Sequence, residues 1–358
     1  MKIEKGIISS SELMFLIIGL IESSTLTSAF ISQLTKQNTW IALLIGLAIV
    51  LLLLLVYTSL SKKMPDKNLI EMNDLIYGCH FGKVMSILYI CFFWFIVAAN
   101  LRFMGDFFST YLFSETCISI FIIAMTIVCM YTIKKGLEVI ARSSVIIAIL
   151  VMVIYSINTI FTLQYVDLSN FLPMFQIKLI NFIEGVNIMV SIPLGEIVVF
   201  LMFFPYVNDK QKIRKSAFSG LIIGGILFLI LILRNISVLG NIGPMHGVPS
   251  YQLVKLINVG EIITRLDILV AIVFLFNMFL KICIFYYATV LSAAQFFKLR
   301  SYKPLVIPVG IISSVFAVSM YNSAADEAYQ AGTYSVYAIV FIILFPIISL
   351  IVASIRKL

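Results

Sequence analysis

The feature that most constrains this chain is the recurrence of apolar runs of 17 or more residues, parted only by short polar or Pro/Gly-bearing breaks. In hydrocarbon no water serves the backbone, so a run of that length satisfies its own N–H and C=O groups only as a helix or within a closed barrel. Barrel strands would alternate apolar and polar residues in segments of about ten, whereas these runs are continuous. The expected fold class is therefore an all-α polytopic membrane protein, a single transmembrane domain over 1–358. With 61% hydrophobic and 12% charged residues, the composition agrees.

The runs predict ten transmembrane helices, at roughly 11–34, 38–60, 83–108, 117–133, 143–163, 184–206, 216–238, 266–295, 304–321 and 334–354. Ser9 and Glu12 in "SSSE" suit a capping box at the first start. Of the 25 Lys and Arg, 18 fall on one side of this arrangement and five (Lys36, Lys178, Arg234, Lys255, Arg265) on the other. Arg102 and Lys281 lie within spans. The positive-inside rule then places both termini in the cytoplasm. The net charge of +8 reads as topology and contact with anionic lipid, with no argument for nucleic acid.

Two segments are not expected to span. Residues 65–78 run from Pro65 to Gly78 and carry Leu69, Ile70, Met72, Leu75 and Ile76 at near-helical spacing, the pattern of an amphipathic interfacial helix. The longest outer loop, about 239–265, reads as a connector or as a lid over an outer vestibule. Five cysteines without a CxxC and only two histidines argue against a disulfide framework, a metal site or a cofactor. No HExxH or Ser–His arrangement supports an enzyme, and no catalytic residue is assigned.

Two spans carry signs of interruption. "GLIESSTLTS" (19–28) places Glu22, Ser23, Ser24 and Thr25 inside the first, and "SIPLGE" (191–196) places Ser191, Ile192, Pro193, Leu194, Gly195 and Glu196 inside the sixth. Pro193 removes a backbone donor beside Gly195. In the first span, Ser and Thr also suit bonds to carbonyls of their own helix. The spans are five apart, so two five-helix halves would enter the membrane from opposite sides, an inverted five-plus-five repeat with broken helices 1 and 6. The repeats are expected at about 9–163 and 184–321, with helices 9 and 10 extending to 354.

Charged groups at membrane depth need a partner or a purpose, and Glu22, Glu196 and Lys281 are the deep ones. If helices 1 and 8 are neighbours, Glu22 pairs with Lys281, as a structural ion pair or as a replacement for a bound sodium ion. Arg102 and Asp106, four residues apart, suit a local pair. Phe92, Ile96 and Asn100 share one face, either packed or walling a cavity.

With these residues identified, the chain resembles the B subunit of the GerA-type spore germinant receptors, the spore permease branch of the amino acid–polyamine–organocation transporter superfamily. The likeness rests on "MPDKNLIEMNDLIYGCHFGKVMSILY", "NLRFMGDFFSTYLFSET", "KKGLEVIARSSVI", "FLPMF" and "SIPLGEIVVFLMFFPYVNDKQKIRKS", in that order. The resemblance implies a LeuT-like fold in the inner membrane of a spore. It also implies the sensing of a small nutrient, such as an amino acid, in complex with an A subunit and a lipoprotein C subunit. By the same resemblance the family's two breaks correspond to 22–25 and 191–196, but this chain carries Glu22 and Ser24 where glycines are usual. The expected mechanism is binding without turnover, with the carboxylate of a zwitterion on backbone N–H groups at a half-helix start and its amine on Glu22 or on carbonyls. The alternative is an amino acid permease, proton-coupled through Glu22 or Glu196.

Overall fold

The apolar runs fold as helices, and in the computed structural model, which describes residues 4, 6–24, 28–245, 248–255 and 266–358, the described secondary structure is helical apart from one isolated β-bridge. The first expected span is divided into α1 (Ser10–Ser23) and α2 (Ser28–Thr35). There follow α3 (Thr39–Lys63), α4 (Leu69–Tyr77), α5 (Cys79–Tyr111), α6 (Ile118–Lys135) and α7 (Leu137–Thr162). The sixth span begins as α8 (Leu179–Met189). The second half adds α9 (Ile213–Leu239), α10 (Pro249–Lys255), α11 (Leu266–Phe296), α12 (Lys303–Ser319), α13 (Ala324–Ile339) and α14 (Phe345–Ile355).

Eight helical stretches among the described residues are long and apolar enough to cross a membrane. The expected span 304–321 is the shorter, 17-residue α12, and the expected span 11–34 is the divided α1 and α2. Helix α6 carries a face suited to lipid. There Ile120, Ile123, Ile127 and Tyr131 form an exposed stripe three and four residues apart, while Ile122, Met125, Cys129 and Ile133 are buried. Apolar side chains exposed in that pattern suit hydrocarbon.

Local sequence explains the helix ends. Ser9 and Glu12 form the expected capping box, and Asn68 with Glu71 forms a second at α4. Gly136, at φ 105°, makes the turn from α6 to α7, so the fifth helix begins at Leu137 rather than near 143. Gly78, at φ 83°, turns α4 into α5.

Helix α4 falls within the expected amphipathic segment 65–78, and its apolar face is docked on protein. Met72 and Ile76 pack with Leu60, Met64 and Ala353, and Leu69 and Ile70 join the main core. Leu75, expected on the apolar face, is instead exposed. Of the expected outer loop, α10 is packed onto α9 and α11, with the Tyr251 ring edge-on to Phe107. The segments 246–247 and 256–265 of that loop lie outside the described residues.

The core is organised around α1 and α11. Helix α1 packs against α9, α7 and α11, and α11 also packs along α5. At one end, Glu4 and Ile8 are bonded to the helices of the bundle and the chain that follows the sixth span. The Ile8 N–H donates to Tyr206 O at 2.9 Å, Asn208 N–H donates to Ile8 O at 2.9 Å, and Tyr287 Oη donates to the Glu4 carboxylate at 2.9 Å.

Candidate functional site

Two interruptions of helical geometry face α11 at the centre of the bundle. Helix α1 closes at Ser23, whose Oγ donates to Leu20 O at 2.5 Å, and Ser24 N–H reaches back to Ile21 O at 3.1 Å. Ser23 Oγ thus makes the own-helix bond to a carbonyl that its residue type suits, whereas the Ser24 bond is made by its backbone. Thr25, expected at the same break, lies outside the described residues.

The sixth span does not unwind; it changes pitch. Helix α8 gives way to a π-helix over Val190–Leu194, which gives way to a 3-10 helix over Gly195–Met202. Pro193 sits where the spacing changes, because it has no N–H to maintain an α-helical ladder. Gly195 is required sterically. A Cβ there would meet Val190 O and would lie 2.6 Å from Ile342 Cγ2.

Ile342 belongs to a second π-helix, Val340–Leu344, between α13 and α14. Its surplus carbonyls are served from other helices: Tyr57 Oη donates to Ile342 O at 2.6 Å and Tyr89 Oη to Phe341 O at 2.9 Å. Ser191 Oγ donates to Ser335 O at 3.0 Å, and Asn187 Nδ2 donates to Ser335 Oγ at 2.9 Å. Helix α8 and the first π segment are thus tied to α13, and Leu194 is buried close to Gly46.

The charged groups meet at this junction. Lys281 Nζ lies 2.7 Å from Glu196 Oε2, and the two side chains are only 2% and 3% exposed. The same Nζ donates to Ser24 Oγ at 2.7 Å, which ties α11 to the end of α1. The expected Glu22–Lys281 pair is corrected here: the carboxylate that Lys281 meets is that of Glu196. Glu22 is fully buried on α1, and its backbone carbonyl accepts from Asn277 Nδ2 at 3.3 Å. The reason lies in helical phase. Glu22 points its carbonyl toward α11, while Glu196, on the tightened 3-10 turn, presents its carboxylate to Lys281.

A cavity of about 70 Å³ opens beside the pair. Glu196, Lys281, Ile192, Ile96 and Asn100 line it, with Phe30, Phe95, Phe103, Tyr321 and Tyr334 as its aromatic walls. Tyr334 Oη is buried without a hydrogen-bond partner. A second, roomier cavity of about 480 Å³ adjoins it across Phe95, Tyr321 and Tyr334. Phe92 lines this second cavity, stacked on Phe341 with ring centroids 4.4 Å apart. Of the candidate residues, the structure therefore brings Ile96, Ile192, Glu196 and Lys281 to one cavity. Glu22, Ser23, Ser24, Ser191, Leu194 and Gly195 are buried and do not line it. The side chain of Pro193 lies outside the described set.

Sequence reasoning missed Asn277, Ser335, Tyr321 and Tyr334. Asn277 and Lys281 lie four apart in the otherwise largely apolar stretch 268–288, a spacing that marks a shared polar face and was available in the sequence. The two tyrosines carried no such signal, because their position depends on how α12 and α13 return to the bundle.

Known proteins share this architecture, and others share part of the sequence along most of the chain. The family described as spore germination protein matches residues 7–327. Spore germination protein KB of Bacillus subtilis (strain 168) is 27% identical over 361 aligned positions, covering 99% of this chain and 96% of that protein. Among solved structures, Mhp1, a nucleobase-cation-symport-1 family transporter closed around bromovinylhydantoin, superposes with a TM-score of 0.71 at 14% identity, covering 96% of this chain and 77% of that one. MhsT in complex with L-phenylalanine gives a TM-score of 0.71 at 14% identity, covering 97% and 89%. These two likenesses establish a LeuT-like transporter fold.

Proposed function

The chain belongs to the spore germination protein family, and from that premise we propose that it is the nutrient-sensing membrane subunit of a germination receptor, binding a small molecule such as an amino acid in the cavity beside Glu196 and Lys281. Family and fold together support a germination-receptor membrane subunit or permease embedded in a lipid bilayer. Ligand sensing is carried by a single observation: a buried ion pair at the meeting point of two interrupted helical segments, lining a cavity.

On this reading the elements that a ligand touches there, the 3-10 segment and α11, have two packings. Binding one packing more tightly shifts the population toward it, and that shift is the signal that partner A and C subunits would read. No turnover is required. The reading takes both termini as cytoplasmic, the membrane as the spore's inner one, and the two halves as inverted repeats.

A permease is the second reading, favoured by the transporters that share the fold. The deciding experiment is dipicolinate release from spores lacking only this chain, challenged with single amino acids and sugars. Loss of particular responses, restored by the wild-type chain and not by Gly195→Trp, supports the sensor. An unchanged response in spores without a redundant receptor, together with amino acid uptake by the purified chain in liposomes, supports the permease.

A further inference from the structure

Deepening the reading of this cavity as the nutrient site, we infer that the Glu196–Lys281 pair occupies the place of an apolar α-amino acid, which binds by splitting it. The α-carboxylate takes Lys281 Nζ and the α-ammonium takes the Glu196 carboxylate. Both groups line the cavity, both are almost fully buried, and they meet at 2.7 Å.

Charge balance selects the ligand class. The described lining holds one cation and one anion among aromatic, aliphatic and amide groups. A ligand with only one charge would satisfy one partner and leave the other buried and uncompensated, which is the costly state of a buried pair. A sugar or another ligand without separated charges leaves the pair closed and faces mostly apolar walls. A zwitterion replaces one ionic contact with two charge-assisted hydrogen bonds, so no charge is stranded at any stage.

Three further observations fit. The ammonium of Lys281 is held by Ser24 Oγ at the carbonyl end of α1, where a helix favours positive charge, so this cation keeps its place when Glu196 departs. Tyr334 Oη, buried and without a partner at the cavity wall, supplies a polar group that a ligand would satisfy. Phe30, Phe95, Phe103, Ile96 and Ile192 offer the side chain an apolar surround.

The present cavity of about 70 Å³ has room for a few waters, so a bound amino acid requires the pair to part. Glu196 is on the 3-10 segment and Lys281 on α11. Occupancy is thereby coupled to separation of those two elements, which supplies the two-packing element that sensing needs.

The test uses the purified full-length chain in nanodiscs. Equilibrium binding is measured for L-alanine, L-valine, L-leucine and L-phenylalanine, each beside its N-acetyl derivative and the amine lacking its carboxylate. The expected result is that at least one of the four binds and that both its one-charge analogues bind on the order of 100-fold more weakly. Because either single substitution leaves a stranded charge and threatens folding, the informative variant is the double Glu196→Gln/Lys281→Met. It is expected to melt cooperatively and to bind the amino acid and its analogues alike. The inference is overturned if the wild type binds the analogues as tightly as the parent, or if the double variant keeps the wild-type preference. It is equally overturned if none of the four binds, including the case in which glucose or inosine does. Selective binding of glucose or inosine would leave the sensor reading standing. Selective amino acid binding without any effect on spore germination would sink the sensor and leave this recognition mode intact.

Discussion

Two ion pairs in this molecule have the same length and opposite meanings. Arg102 Nε meets Asp106 Oδ2 at 2.7 Å, as Lys281 Nζ meets Glu196 Oε2. The first pair sits on one helix, four residues apart, with side chains 7% and 13% exposed, and its guanidinium also donates to Val318 O at 3.0 Å, near the C-terminal end of α12. It strengthens a helix that would exist without it. The second joins residues 85 positions apart, on an irregular segment and a long helix, beside a cavity. A contact between elements can report their relative movement, and a contact within one element cannot.

The comparison breaks most readily at the central pair. Lys281→Met or Glu196→Gln alone should cost about 3–5 kcal/mol, because each strands a buried charge, while the double variant should recover most of that loss. Chemical unfolding in detergent reads the cycle; additive losses in the double variant would show that the two groups do not act as a pair. Next in size is Gly195→Ala, expected to cost about 1–3 kcal/mol as its Cβ forces the two π segments apart. Stability equal to wild type would mean the segments do not pack as closely as described.

Arg102→Met sharpens the contrast from the other side. It should cost about 1–2 kcal/mol through the lost charged hydrogen bonds and leave amino acid affinity unchanged, as binding assays would show. An altered affinity would make this outer pair part of the signalling path. The smallest effect is expected at Asp209, outside the spans. Its hydrogen bond and ion pair with Lys212, at 3.0 Å, hold the carboxyl below its usual value, as does the Gln211 N–H. A depressed folded-state value means that this contribution is present above the carboxyl's ordinary value and is lost as pH falls through the folded one. Any stability that wild type holds over Asp209→Asn should therefore be present at neutral pH and vanish below about pH 4, as melting at the two pH values would show.

Much of the site was legible because its signals are local. Pro193 and Gly195 forecast a change of helical geometry, since one lacks a donor and the other lacks a side chain. Glu196 and Lys281 stood out as charges in apolar runs. The pairing of Lys281 was misread because Glu22 and Glu196 are equally deep in the sequence, and nothing local states which faces α11. The amphipathic helix was legible in its periodicity, while its docking on α3 and α14 was not.

The sequence by itself determined what must be helical and membrane-embedded, because an apolar segment of that length has no other way to satisfy its backbone in hydrocarbon. Its capping boxes and glycine turns fixed where several helices begin and end, because those bonds are made within a few residues. The tertiary structure alone decided that the sixth span changes pitch through π and then 3-10 turns instead of unwinding, and that Ser335, Tyr57 and Tyr89 support the irregular segments. It alone decided that Lys281 closes on Glu196. Those outcomes depend on the phase and approach of helices far apart in the chain, and a linear pattern of residues carries no information about either.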